Sequence, residues 1–159
     1  MLVLAGASLA ARLVPGARVL LLEAENQPGY HATGRSAAFW SETYGGAAIQ
    51  PLSTASGPWL WNPPDDYGGA PFLGPRGELF IATAADTGAL DRFAAEFAES
   101  GVVLERVDPR PRIPGLRDEW TDALWEPSCA DIFVAELHAA CLKVARRGGA
   151  DMRTGAALE

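Results

Sequence analysis

The opening 38 residues switch from apolar runs to turn formers and back in a rhythm that predicts strand, helix and strand. Val3 and Leu4 run into Ala5-Gly6-Ala7-Ser8; Leu9, Ala10, Leu13 and Val14 then recur at helical spacing, and Pro15-Gly16 stop the helix. Arg18 to Leu22 brings a short apolar run of the kind buried on both faces of a parallel sheet, with Glu23 at its carboxyl end. The pattern predicts a helix over 5–14 packed on a central parallel strand over 18–22.

Further along, the period changes several times. Residues 39–60 mix aromatics, small residues and turn formers, with 47–55 the best short helix, and 62–69 (NPPDDYGG) carries only loop signals. Residues 76–83 give a turn and a strand. Asp86 is a helix cap, and Leu90, Phe93, Ala94 and Phe97 form one stripe of a helix over 87–100 that Gly101 stops. Strands follow over 102–107 and 122–126, separated by a Pro-rich segment. The last helix starts near Asp131 or Phe133 and runs to Arg146, with Val134, Leu137, Ala140, Cys141 and Val144 facing inward and Gly148-Gly149 ending it. Residues 150–154 then read as a strand returning to the first sheet.

The first segment carries the candidate chemistry. A dinucleotide-binding βαβ unit uses three glycines for its turn, for close backbone approach to pyrophosphate and for helix–sheet packing, and an acid at the end of its second strand for ribose. Gly6 fits the last glycine and Glu23, 17 residues on, fits the acid, whereas residues 1–4 hold no counterpart of the first two glycines. After Glu23, the loop His31-Ala32-Thr33-Gly34-Arg35-Ser36-Ala37-Ala38 offers hydroxyls, a close-approach glycine and an arginine able to pair with pyrophosphate. Trp40, Tyr44, Trp59 and Trp61 either line a pocket or pack a seam, and packing is favoured because large aromatics dominate core energetics.

Composition narrows the class. With 159 residues, 48% hydrophobic and 21% charged, the chain is long enough for a sizeable core and is typical of a globular protein. A net charge of −7 and a single lysine, Lys143, argue against a nucleic-acid partner. No apolar run reaches the roughly 20 residues of a membrane span, and residues 1–11 lack the basic start of a secretory signal, so a cytoplasmic location is expected. Cys129 and Cys141 lack C-x-x-C spacing and read as buried thiols. His31 and His138 share no metal-ligand spacing, so no metal site is expected, and His138 reads as a surface side chain.

Ala5-Gly6-Ala7-Ser8, then Leu20-Leu21-Leu22-Glu23, then His31 to Ala38 resemble the amino-terminal part of FAD-dependent oxidoreductases of the D-amino-acid oxidase class, which includes glycine oxidase, sarcosine oxidase and D-amino-acid dehydrogenase. The resemblance implies an α/β fold: an incomplete Rossmann-type FAD-binding βαβ unit with part of an α+β substrate domain. The implied organisation is 1–61, partial FAD-binding domain; 62–130, partial substrate domain; 131–159, helix and strand returning to the first. It implies FAD as cofactor, held by Gly6, Ala7, Glu23, Ala24, His31, Thr33, Gly34, Arg35, Ser36 and Ala37, and a small amino acid or amine as substrate. It assigns no catalytic residue within these 159 positions. The expectation is an amino-terminal portion of such an enzyme, oxidising a C–N bond, and inactive as this chain alone. The alternative is a non-catalytic α/β module, or a subunit that joins a partner chain or a second copy through open sheet edges.

Overall fold

The apolar run before Glu23 forms a strand, β1 (Leu20–Leu22), in a computed structural model that describes Gly6, Ala10, Val14, Gly16, residues 18–31, Thr33, Arg35 and residues 38–157. It pairs in parallel with the return strand β8 (Asp151–Arg153), in the register Leu20↔Asp151, Leu21↔Met152 and Leu22↔Arg153. The strand is shorter than the apolar run, and its burial corrects the expectation of a strand covered on both faces. Leu21 is 7% exposed, but Leu20 and Leu22 are 50% and 43% exposed. Alternate residues of a strand point to opposite faces, and within this chain only the Leu21 face is covered. In the helix expected over 5–14, Gly6 and Ala10 have helical backbone and the Val14 amide donates to the Ala10 carbonyl at 3.1 Å; the rest of that stretch lies outside the described residues.

The chain divides into two compact units, residues 1–38, 60–72 and 132–159 in the first and 39–59 and 73–131 in the second. Residues 39–59 thus group with the later strands, although the sequence draws its boundary after residue 61. In the first unit, α3 (Val134–Arg147) buries Leu137, Ala140, Cys141, Val144 and Ala145, which is the predicted stripe plus one residue. Its last turn carries Arg146 and Arg147 at the negative end of the helix dipole. The Gly149 amide, at φ 88°, donates to the Arg146 carbonyl and ends the helix. The predicted loop over 62–69 contains a short 3₁₀ turn, Asp65–Tyr67, which packs on α3 and buries Tyr67.

In the second unit, β4 (Glu78–Thr83), β6 (Trp120–Glu126) and β5 (Glu105–Val107) form an antiparallel sheet in the order β4-β6-β5. Helix α2 (Thr87–Phe97) lays the predicted stripe on it: Leu90 packs with Ala82 and Leu124, flanked by Phe80, Phe93 and Ala94, and Phe97 is 1% exposed. Asp86 occupies the capping position without capping. Its carboxylate accepts from the Thr83 hydroxyl at 2.8 Å instead, the local competition that short polar side chains enter readily. Strands β2 (Phe39–Trp40), β7 (Ala130–Ile132) and β3 (Leu73–Pro75) form a second sheet in the order β2-β7-β3.

Helix α1 (Gln50–Trp61) lies later than the expected 47–55. Gly45 and Gly46 hold positive φ of 90° and 78°, which prolongs the preceding turn, and Pro51 falls in the first helical turn, where its missing N–H is no loss. Pro58 reads as a breaker yet lies inside the helix. One turn earlier the Ser53 carbonyl accepts from the Trp40 indole at 3.0 Å and from the Ser56 hydroxyl at 2.7 Å, which ties this part of the helix to β2. The Trp40 ring rests on Gly57, where a Cβ would come within 2.8 Å of it.

Candidate cofactor site

The carboxyl end of β1 is fixed by backbone bonds on both sides of Glu23. The Glu23 amide donates to the Arg153 carbonyl at 2.9 Å, and the Ala156 and Gly155 amides donate to the Glu23 and Glu25 carbonyls, both at 2.9 Å. Gly155, at φ 64°, allows the chain after β8 to turn alongside this end. The Glu23 carboxylate is partly buried, and Oε1 accepts from the Glu25 amide at 3.1 Å. Its other oxygen has no hydrogen-bond partner among the described residues. An acid held at the end of a parallel strand with a vacant acceptor oxygen has the donor–acceptor chemistry that ribose hydroxyls require. Ala24, next to it, is exposed.

Beyond Glu23 the chain folds into a turn organised around Tyr30. The Arg35 guanidinium lies 5.2 Å from the Tyr30 ring centroid, and His31 meets the same ring edge-on at 5.1 Å. His31 Nε2 lies 2.7 Å from the Glu25 carboxylate. Both His31 and Arg35 are exposed, whereas Thr33 is half-buried and lines a cleft of ≈ 350 Å³ with Gln27, Pro28, Gly29, Val134 and His138. The structure thus brings Glu23 and Ala24 to the strand end and His31, Thr33 and Arg35 onto one turn after it. Gly6 is helical and exposed, and a Cβ there would meet no atom of the described residues within 4 Å. Ala7, Gly34, Ser36 and Ala37 lie outside the described residues. A carboxylate oxygen of Glu23 without a partner among the described residues, followed by a turn with a hydroxyl and an exposed guanidinium, is a set of polar groups compatible with the expected FAD.

Two centres escaped the sequence reading. His138 is half-buried rather than a free surface side chain: its Nε2 is buried with no hydrogen-bond partner among the described residues, and the ring sits against Gly29. Its position was legible, since 138 is four residues after Val134 and three before Cys141, within the inward stripe. Burial holds its pKa below the ordinary histidine value, and the Glu23 charge opposes that shift. In the second unit Glu126 is fully buried. Its Oε2 accepts from the Thr43 and Ser41 hydroxyls at 2.6 and 3.2 Å and its Oε1 from the Glu42 amide at 2.8 Å and the Ser128 hydroxyl at 3.3 Å. Beside it, burial raises the Glu78 carboxyl, and burial with the Glu78 and Glu126 charges pushes the Cys129 thiol up to about 11. A thiol raised so far is protonated and unreactive. Among the described residues no three His, Cys, Asp or Glu side chains are grouped to hold a metal, and no helix is long and apolar enough to cross a membrane.

Residues 4–159 match the family model described as FAD dependent oxidoreductase. Solved structures share the fold. Glycine oxidase from Geobacillus kaustophilus superposes with a TM-score of 0.74 at 20% identity, over 96% of this chain and 43% of its own. L-proline dehydrogenase from P. horikoshii gives 0.76 at 21% identity over 95% and 40% of the two chains. NikD, an amino acid oxidase essential for nikkomycin biosynthesis, gives 0.73 at 23% identity over 96% and 40%. The chain therefore spans less than half the length of these solved relatives.

Proposed function

We propose, from the premise that the chain belongs to the FAD-dependent oxidoreductase family, that it supplies the adenosine-side half of a flavin site in an enzyme oxidising the C–N bond of an amino acid or amine. The observation that carries this reading is Glu23, held by backbone bonds at the end of the parallel β1–β8 pair with one carboxylate oxygen that has no hydrogen-bond partner among the described residues. Bound FAD supplies the hydride acceptor. The chain's own part is to position it: Glu23 accepts from ribose hydroxyls, and the turn carrying His31, Thr33 and Arg35 meets the pyrophosphate or ring, with Arg35 as the cation. Gly6, Ala7 and Ala24, and Gly34, Ser36 and Ala37 of the loop, complete the contacts expected from the sequence. In this reading residues 1–61 and 131–159 serve the cofactor and 62–130 begin the substrate domain.

Affinity for FAD in this chain is weak, because a strong pyrophosphate site combines several glycine-permitted backbone donors with a helix N-terminus, and only Gly6 of the three fingerprint glycines has a counterpart. A cytoplasmic location accords with the sequence. The exposed Leu20 and Leu22 face of β1 favours a second reading, in which this unit completes its sheet against another chain or a second copy. One experiment separates the two. The purified chain is given excess FAD, and flavin fluorescence is followed together with oxidation of D- and L-amino acids, glycine and sarcosine. Saturable quenching without turnover is expected. Absence of any quenching would favour the non-catalytic module, and tight stoichiometric FAD with turnover would overturn the weak-site account.

A further inference from the structure

The turn that follows Glu23 is tied at its start by the Gly155 amide on the Glu25 carbonyl and is supported from beneath by α3. On the outside it carries contacts among its own exposed side chains, the His31–Glu25 pair and the Arg35 guanidinium and His31 ring on Tyr30, and exposed ion pairs of this kind contribute little. On the inside, the His138 imidazole of α3 lies directly against Gly29. A Cβ built on Gly29 would fall 2.9 Å from Nε2 and 3.3 Å from both Cδ2 and Cε1. Gly29 also has φ 79°, a backbone conformation that side-chain-bearing residues rarely adopt. The imidazole Nε2 is buried with no hydrogen-bond partner among the described residues, which is a cost to the packed arrangement.

We infer that His138 is a positioning residue: its uncharged imidazole wedges beneath Gly29 and sets the turn from which Thr33 and Arg35 project toward FAD. The inference rests on the functional reading above, which places that turn against the cofactor. The cleft flanked by Thr33 and His138 is the free space into which the turn would relax if the ring were removed. A charged ring would be held there without a partner. Among the described residues the Glu23 carboxylate is the charged group that acts on it, favouring the charged form, and the turn itself carries the exposed Glu25 and His31. Burial dominates, so the packed arrangement takes up fewer protons than the open one; it is intact above the ordinary histidine value of about 6.5 and loosens as pH falls below it.

The test uses the full chain and the variants His138→Ala, His138→Gln and Gly29→Ala. Amide hydrogen exchange of residues 25–31 is measured without FAD, and FAD affinity is measured by fluorescence quenching at pH 7.5 and 5.5. His138→Ala and Gly29→Ala are expected to speed exchange in 25–31 and to weaken FAD by about tenfold each, with α3 exchange unchanged. His138→Gln, uncharged and polar, should stay within about twofold of the parent at pH 7.5 and lose the weakening that the parent shows at pH 5.5. Unchanged exchange in His138→Ala would overturn the positioning role. Faster exchange with FAD affinity unaltered would overturn its link to the cofactor. A parent chain that binds no FAD at either pH would sink the functional reading itself, while the exchange data would still decide whether His138 sets the turn.

Discussion

Glu126 has no exposure to solvent, yet four donors converge on its two oxygens, three of them from Ser41, Glu42 and Thr43. Removing the acceptor leaves those donors buried, at about 1–3 kcal/mol for each one left unsatisfied. Glu126→Ala is therefore expected to lower stability by about 3 kcal/mol, and Glu126→Gln, which keeps one acceptor, by less; urea midpoints at constant m-value measure both. Glu78, close by, behaves in the opposite sense. Burial, countered by a Ser41 hydrogen bond and reinforced by the Glu126 charge, raises its folded-state pKa. A carboxyl raised on folding stabilises below its unfolded pKa, and that contribution is lost as pH rises through the folded value. Glu78→Gln should consequently raise the melting temperature at pH 7 and confer no gain at pH 4. An equal gain at both values would contradict the assignment. Neither residue was legible as special in the sequence, because a charge at the end of an alternating strand reads as solvated, and only the three-dimensional approach of Ser41 and Thr43 to Glu126 makes burial affordable. Glu23 was legible, since an acid closing an apolar run before a Gly-Arg-Ser loop is a local pattern.

Elements held together by their own periodicity were readable from the chain. The stripe of α2 and that of α3 are the buried faces observed, and β8 returns beside β1 as the segment 150–154 suggested. What failed depended on partners distant in sequence. Helix α1 starts later than its local pattern suggests and is tied to β2 by the Trp40 indole on the Ser53 carbonyl, and one face of β1 keeps Leu20 and Leu22 about half exposed. The turn into β4 carries a similar long-range demand. Gly77 has φ 78°, its amide donates to the Cys129 carbonyl at 2.7 Å, and a Cβ there would fall 1.8 Å from the Trp125 ring. Gly77→Ala combines an unfavourable backbone region with overpacking, together about 2–5 kcal/mol. Thermal denaturation should show a large loss, and a melting temperature within a degree of the parent would mean that Trp125 moves aside freely.

At the scale of the whole chain, two compact units carry unequal shares of the proposed chemistry. The first holds the parallel pair, Glu23 and the turn after it; the second contributes an antiparallel sheet whose polar interior is already satisfied around Glu126. The family assignment spans both, since the match runs from residue 4 to residue 159. The account turns on Glu23 as the ribose acceptor, and an FAD titration of the parent and Glu23→Ala chains at pH 7.5, followed by flavin fluorescence, tests it most directly. A hydrogen bond to a charged group contributes about 1.5–3 kcal/mol, so Glu23→Ala should weaken FAD by roughly tenfold to a hundredfold while leaving the melting temperature of the unliganded chain nearly unchanged. Superimposable isotherms for the two chains would contradict the account.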